Sequence, residues 1–259
     1  WILRHEWQFF RKWTFQKATA SLQQHPIITL ITNIEKGAAT DSLFRTIRSV
    51  SRQYYPDWEW YLFADSEELQ QLAGCIPAQL RHKIHLIDHS NDNAEAWGGE
   101  FSAFLSNGDE LAPFALAEVV KAINENPQAD ILFSDEDHIR GKRTRYDPWF
   151  KPQCNIYNLR SGNYLAHFLV IRTNLLKKIV AQEGKRPIHR IHLYDLILRC
   201  VEQTSEVIHI PAVLYHSRKA RLDSEGHPIA STTDPLDELA LRNHLERMHI
   251  QADVLPNDY

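Results

Sequence analysis

Residues 98–139, GGEFSAFLSNGDELAPFALAEVVKAINENPQADILFSDEDHI, constrain the chain most, reading as strand, acidic turn, helix, strand, acidic turn. Residues 101–105 are a short apolar, aromatic run that ends in the tight-turn cluster Ser106-Asn107-Gly108-Asp109. Pro113 opens a helix whose Phe114, Leu116, Val119, Val120 and Ile123 recur at helical spacing, and Asn126-Pro127 stops it. Residues 131–133 form a second buried-strand run, released into Ser134-Asp135-Glu136-Asp137. Carboxylates just beyond the carboxyl ends of two strands joined by a helix stand where open α/β sheets bind ligands.

The flanking sequence builds a sheet around this unit. Residues 27–32 (IITLIT) are a continuous β-branched run, as a central parallel strand requires. A helix follows with Thr40 or Asp41 as N-cap and Leu43, Phe44, Ile47 and Val50 on its buried face, and residues 58–63 (WEWYLF) make the next strand. Strand, helix, strand in this order implies a right-handed parallel crossover. Further helices are expected at 67–80, 174–181, 193–201 and 235–249, and strands at 84–87, 163–171 and 207–214, the last ending at Tyr215-His216-Ser217-Arg218. Residues 140–145 read as a basic loop and 146–154 (YDPWFKPQC) as an irregular segment wrapped across the sheet's edge. The expectation is one three-layer α/β domain over 25–259 with a mostly parallel central sheet, led in by an aromatic-rich helix within 1–24. That helix, with Trp1, Trp7, Phe9, Phe10, Trp13 and Phe15 among Arg and Lys, packs on the domain or a neighbour, or lies on a membrane surface.

With 259 residues of which 43% are apolar, the chain can bury a full single-domain core. A formal charge of −4 and a pI near 6.4 provide no basic field, which argues against nucleic acid as a partner. Cys75, Cys154 and Cys200 are far apart and show no metal spacing, so they read as reduced cytosolic thiols. No apolar run reaches the length of a membrane span and no secretory signal is present. The expected location is the cytoplasm, with the inner face of the membrane as a possible working place. A first residue of Trp rather than Met suggests an excerpt from a longer polypeptide.

Seven segments, in order, resemble the family 2 glycosyltransferases, and within them the bacterial enzymes of O-antigen and rhamnose-rich surface polysaccharides. They are IITLIT (27–32), SVSRQYYPDWEWYLFAD (49–65), GEF with DELAPFAL (99–116), ADILFSDEDHI (129–139), WFKP (149–152), NYLAHFLVIR (163–172), and YDLILRCVEQ with HIPAVLYHSR (194–218). The resemblance covers nearly the whole chain and implies a GT-A fold, with a nucleotide-sugar donor under the first strands, including Thr32, and a glycan acceptor under the later ones. Between them it implies a divalent cation, Mg²⁺ or Mn²⁺.

Three requirements of sugar transfer can then be compared with this chain. The family neutralises the leaving diphosphate with an Asp-x-Asp turn around a divalent cation, since hard cations take oxygen ligands. Here the turn is Ser106-Asn107-Gly108, and only the next acid, Asp109, matches the family's acidic run. The family's general base falls on Leu193, which takes no proton, although Asp195 two residues on is retained as a weak candidate. The family's base-reading acid falls on Asp65, whose preceding acid has become Ala64. A donor-side helix that the family carries between the third strand and Gly99 is reduced here to residues 89–97.

For the remaining candidates a functional and a plain reading stand side by side. Asp135, Glu136 and Asp137 could form an acceptor or replacement metal site, or be turn formers and caps. His216 matches a metal-ligand position in related enzymes, and is otherwise a hydrogen-bonded structural histidine. Asp195 is a displaced base or an ion pair with Arg199 at i+4. Trp149 and Tyr146 stack on a sugar or pack internally; the basic loop 140–145 is solvated or meets a diphosphate or acidic partner. The losses fall on the chemistry and spare the packing motifs. The expectation is therefore a transferase-like module with weakened or lost transfer, no tightly bound cation, and a binding or scaffolding role beside a second transferase domain or protein partner. The alternative is an active inverting transferase with a rearranged site.

Overall fold

The computed structural model describes residues 12–34, 36–37, 40–91, 97–141, 144–182, 187–188, 191–218 and 235–255. Its strands are β1 (Ile28–Asn33), β2 (Trp58–Ala64), β3 (Ile84–Asp88), β4 (Phe101–Phe104), β5 (Glu110–Leu111), β6 (Ile131–Arg140), β7 (Thr144–Trp149), β8 (Val170–Arg172) and β9 (Val207–Ser217). Its helices are α1 (Lys12–Ala20), α2 (Thr40–Val50), α3 (Ser66–Cys75), α4 (Ala115–Glu125), α5 (Ile156–Ser161), α6 (Thr173–Gln182), α7 (Leu193–Gln203) and α8 (Pro235–Arg247).

One nine-stranded sheet runs β3-β2-β1-β4-β8-β6-β9-β5, with β7 added to β6. The strand runs read at 27–32, 58–63 and 101–105 lie side by side as β1, β2 and β4, with β1 between the other two. β1, β2, β3, β4, β6 and β9 share one direction, while β5, β7 and β8 oppose it. The sheet is thus mostly parallel and mixed in its second half.

β-branched and aromatic strands buried on both faces explain the three layers. Ile28, Leu30, Trp58, Trp60 and Leu62 face a core closed by α2, α3 and α4, through residues such as Leu43, Ile47, Leu72 and Val120. Ile31, Tyr61, Phe63 and Phe133 face the opposite core, closed by α5 to α8 through Leu159, Leu176, Leu196 and Ala240. Phe15 of α1 packs on Tyr54 and Phe114, and the Gln24 backbone N–H donates to Asn124 of α4. The side chains of Trp1, Trp7, Phe9, Phe10 and Trp13 lie outside the described residues.

Several local expectations are corrected. Residues 134–137 do not turn: β6 continues through them to Arg140 and pairs with β7, which takes up the end of the expected basic loop and the start of the expected irregular segment, while 150–154 are irregular as expected. Lys142 and Arg143 lie outside the described residues. Residues 163–169 are not strand, because His167 (φ +67°) and Phe168 (φ +48°) hold left-handed backbone that no ladder accommodates, and pairing begins only at Val170. Phe44 is exposed; the inner face of α2 instead carries buried Thr46 and Ser49, and Gln53 is buried just beyond its end.

Gly99 joins the sheet to its central unit at a point without room for a side chain. A Cβ there would lie 2.4 Å from Thr29 Oγ1 and 2.6 Å from the Ile27 carbonyl oxygen. The Gly99 N–H donates to both Thr29 Oγ1 and Glu59, which also takes the Gly98 N–H. Gly99→Ala is expected to destabilise the chain by about 1–3 kcal/mol through overpacking against backbone, as read from urea unfolding. An unchanged midpoint would contradict this packing.

Candidate functional site

The carboxyl ends of β1, β2 and β3 form the donor side. Thr32 is buried and its hydroxyl is spent: it donates to the Leu105 carbonyl (2.6 Å) and accepts from Trp60 Nε1 (3.0 Å). Thr32 therefore ties β1 to the end of β4. Asp65, just past β2, is largely exposed and pairs with His89 Nδ1 at 2.8 Å, while His89 Nε2 lies 2.8 Å from Asn33 Oδ1. The sequence reading named Asp65 and missed Asn33 and His89. Both were findable, since each stands at or just beyond the carboxyl end of a parallel strand, where ligands bind. Residues 92–96, where the family's donor-side helix would run, lie outside the described residues.

The turn Ser106-Asn107-Gly108-Asp109 and the segment after it are held by hydrogen bonds from α2, from Gln53 just beyond it, and from the end of β9. Thr46 Oγ1 accepts the Gly108 N–H, Ser49 Oγ accepts the Leu111 N–H, and Gln53 bonds both Ala112 and Leu116. Asp109 is buried; Tyr215 donates its hydroxyl to Oδ2 (2.5 Å) and the Arg218 N–H binds Oδ1 (2.8 Å). Burial, with Asp109 beside it, holds the Tyr215 phenol well above its ordinary pKa, so Tyr215 remains a donor. The Arg218 guanidinium grips Glu110 and the Gly141 carbonyl, closing the end of β9 over the turn.

This donor set does not fit a divalent cation. Both Asp109 oxygens are engaged, Gly108 has no side chain, and what remains is the Ser106 hydroxyl and Asn107 Oδ1, a buried oxygen with no hydrogen-bond partner. A hard cation takes six or more oxygens, carboxylates foremost. Among the described residues no group of three or more His, Cys, Asp or Glu is placed to hold a metal. Gly108 also sits at φ +97°, a conformation an aspartate would strain.

The acids of β6 are buried and each has a cationic or histidine partner. Asp135 Oδ1 accepts from the Lys151 N–H (2.9 Å) and pairs with His209 Nε2 (2.8 Å). Asp137 pairs with His216 Nδ1 (2.6 Å) and Arg145 Nε (2.5 Å). Glu136 lies between His167 Nδ1 (2.9 Å) and the wholly buried Lys151 Nζ (2.8 Å), which also donates to the Ala166 carbonyl. β6 shifts register against β9 between Ser134 and Glu136, and that irregularity lets three consecutive acids all point into the protein. Burial pushes the Glu136 carboxyl up, but the His167 bond and Lys151 outweigh it, and its pKa falls below the ordinary value. Burial drags the Lys151 ammonium down, only partly offset by Glu136.

His216 is thus a buried partner of Asp137 rather than an open ligand. Trp149 ends β7 opposite Glu136, with 46% of its surface exposed and Lys151 Nζ 5.7 Å from its ring centre. Tyr146 packs on His138 and Arg140. Asp195 is held by Arg199 (2.8 Å) at one oxygen and Arg247 (3.3 Å) at the other, so both of its oxygens are engaged. His167, like Asn33 and His89, was not singled out from the sequence; it stacks on Tyr215 at 5.2 Å with the rings nearly parallel.

Two-sided cores on a mostly parallel sheet are arranged as in a GT-A fold, as comparison with solved structures bears out. Staphylococcus aureus TarS, residues 1–349 in complex with UDP-GlcNAc, superposes with a TM-score of 0.59 at 14% identity, covering 88% of this chain and 68% of TarS. The mannosyltransferase PcManGT of Pyrobaculum calidifontis, in complex with GDP-Man and Mn²⁺, gives 0.53 at 13% identity, over 95% and 73%. In sequence the chain is 34% identical over 252 residues to the O-antigen biosynthesis protein RfbC of Myxococcus xanthus. It is 31% identical over 244 residues to the uncharacterized protein y4gI of Sinorhizobium fredii. These matches take in 92% and 87% of the chain but only 20% and 26% of the relatives' lengths. No protein-family model matches. The resemblance to family 2 glycosyltransferases of surface polysaccharide synthesis fits these relatives. No helix among the described residues is long and apolar enough to cross a membrane.

A carboxyl whose folded pKa is depressed stabilises the fold above the ordinary carboxylate range and loses that contribution as pH falls through the folded value. For Glu136 the loss is therefore expected on the acid side. Urea unfolding from neutral to acid pH should show wild type losing stability below the ordinary glutamate pKa. Glu136→Gln should start lower and lose less over that interval; parallel curves would contradict the assignment.

Proposed function

We propose that this chain is a glycosyltransferase-like module of O-antigen-type surface polysaccharide synthesis. It binds a nucleotide sugar at Asn33, Asp65 and His89 and a glycan acceptor beside Trp149 and Glu136, and it has lost the family's metal-and-aspartate route to transfer. The observation that carries this reading is Asp109, whose two oxygens are consumed by Tyr215 and the Arg218 backbone in a turn with no other carboxylate. Loss of a charge-stabilising group at the leaving diphosphate costs on the order of 10²–10³ in rate. Sequence relation to RfbC supports the polysaccharide assignment, and the nucleotide sugars bound by TarS and PcManGT support the donor class. With Asp109 engaged and no other carboxylate in the turn, we assign the chain a positioning role beside a second transferase domain or partner. Such a module would work in the cytoplasm, at the inner face of the membrane.

Calorimetric titration of UDP, dTDP and GDP, with and without Mn²⁺, tests the reading. The expected result is binding of at least one nucleotide with the same affinity in Mn²⁺ and in EDTA, unchanged by Asp195→Asn. Strict dependence on Mn²⁺, or abolition of product formation by Asp195→Asn, would return the chain to the family's ordinary chemistry.

A further inference from the structure

Three consecutive acids on β6 each pair with a histidine, and the three histidines differ in one respect. His209 and His216 are buried, with 7% and 9% of their side chains exposed, whereas His167 exposes 37%. Its Nδ1 is 2.9 Å from Glu136 Oε1, and among the described residues no protein group reaches its Nε2. Glu136 is ionised, its pKa being lowered with His167 and Lys151 beside it. An ionised carboxylate only accepts, so Nδ1 carries the hydrogen, and the neutral ring keeps its lone pair on Nε2. The ring lies flat on Tyr215, whose hydroxyl bonds Asp109 and the Ser106 N–H, so it borders the turn at 106–109 where the donor's diphosphate belongs. His167 and Phe168 hold φ of +67° and +48° in succession, and buried Phe168 packs on Tyr215. Side chains are kept in such backbone only where the surroundings over-determine it, and such sites cluster where chemistry is done.

We propose that His167 is the proton acceptor for whatever sugar transfer this site retains, with Glu136 as its positioning residue; the idea rests on the donor-binding reading above. The acceptor hydroxyl gives its proton to His167 Nε2 as its oxygen bonds to the anomeric carbon of the donor. The bond from that carbon to the diphosphate oxygen breaks, and its electron pair leaves with the nucleoside diphosphate. The resulting imidazolium donates its Nδ1–H to Glu136, and Lys151 keeps that carboxylate ionised. The arrangement supplies in a carboxylate–histidine dyad the function that Leu193 cannot perform and that Asp195, with both oxygens engaged, is ill placed to perform.

The test follows nucleoside diphosphate release from UDP-GlcNAc and GDP-mannose in EDTA by the 259-residue chain, with water as acceptor, alongside calorimetric binding of the same donors. His167→Gly suits the left-handed backbone and leaves a ring-sized gap. It is expected to cut release by ~100-fold or more, to leave donor affinity unchanged, and to regain part of the rate with added imidazole. His167→Asn, also compatible with that backbone, should lose release without rescue. Ring ¹⁵N shifts should show His167 with hydrogen on Nδ1 in wild type, a preference lost in Glu136→Gln. A donor that binds but is never turned over by wild type, release undiminished in His167→Gly, absence of imidazole rescue, or hydrogen on Nε2 would each overturn the proposal alone. Failure of both donors to bind would overturn it together with the donor-binding reading.

Discussion

The second half of the molecule depends on one buried ion pair, the Lys151 ammonium against Glu136. Neither charge is tolerable alone in that environment, since an unpaired buried ion costs several kcal/mol. Together they fix the end of β6, the segment after β7 and, through the Ala166 carbonyl, the loop that carries His167. Asp135 adds the Lys151 backbone N–H and His209; Asp137 adds His216 and Arg145. A strand can run through three consecutive acids here because each finds its counter-group on β7, β9 or the loop.

The first half is organised differently, by apolar strands and a polar stripe. β1 and β2 bury both faces, and the ends of the strands come into register where Asn33, Asp65 and His89 meet. Thr46 and Ser49 of α2, with Gln53 just beyond it, then hold the backbone between Gly108 and Leu116. The turn is therefore kept in shape without a cation, by α2 on one side and by Tyr215 and Arg218 on the other. The packing around the turn rests on these hydrogen bonds and on the apolar core beneath them.

Much of the fold was legible because β-branched runs such as 27–32 and the helical spacing of residues 114–123 are local signals. The strands β1, β2 and β4 followed from them. What the sequence hid is non-local. Acids at 134–137 look like a turn until their partners, some 8 to 79 residues away in sequence, are brought against them. The polar stripe of α2 was masked by its apolar neighbours, and Phe44 was taken for a core residue because spacing alone cannot rank positions at the edge of a buried face. His167 was invisible for a related reason: its role depends on a backbone conformation that the apolar run NYLAHFLVI disguises as strand. Asp109 and Asp195 were legible as residues, but their engagement by Tyr215, Arg218, Arg199 and Arg247 required the tertiary structure.

Glu136 and Lys151 act as one buried unit, and a double-mutant cycle measures their coupling directly. Urea unfolding of wild type, Glu136→Gln, Lys151→Met and the double variant should give single losses of about 3–5 kcal/mol each. The double variant should lose far less than their sum, with a coupling of at least about 1 kcal/mol. Additive losses, with no coupling between the two positions, would contradict the claim.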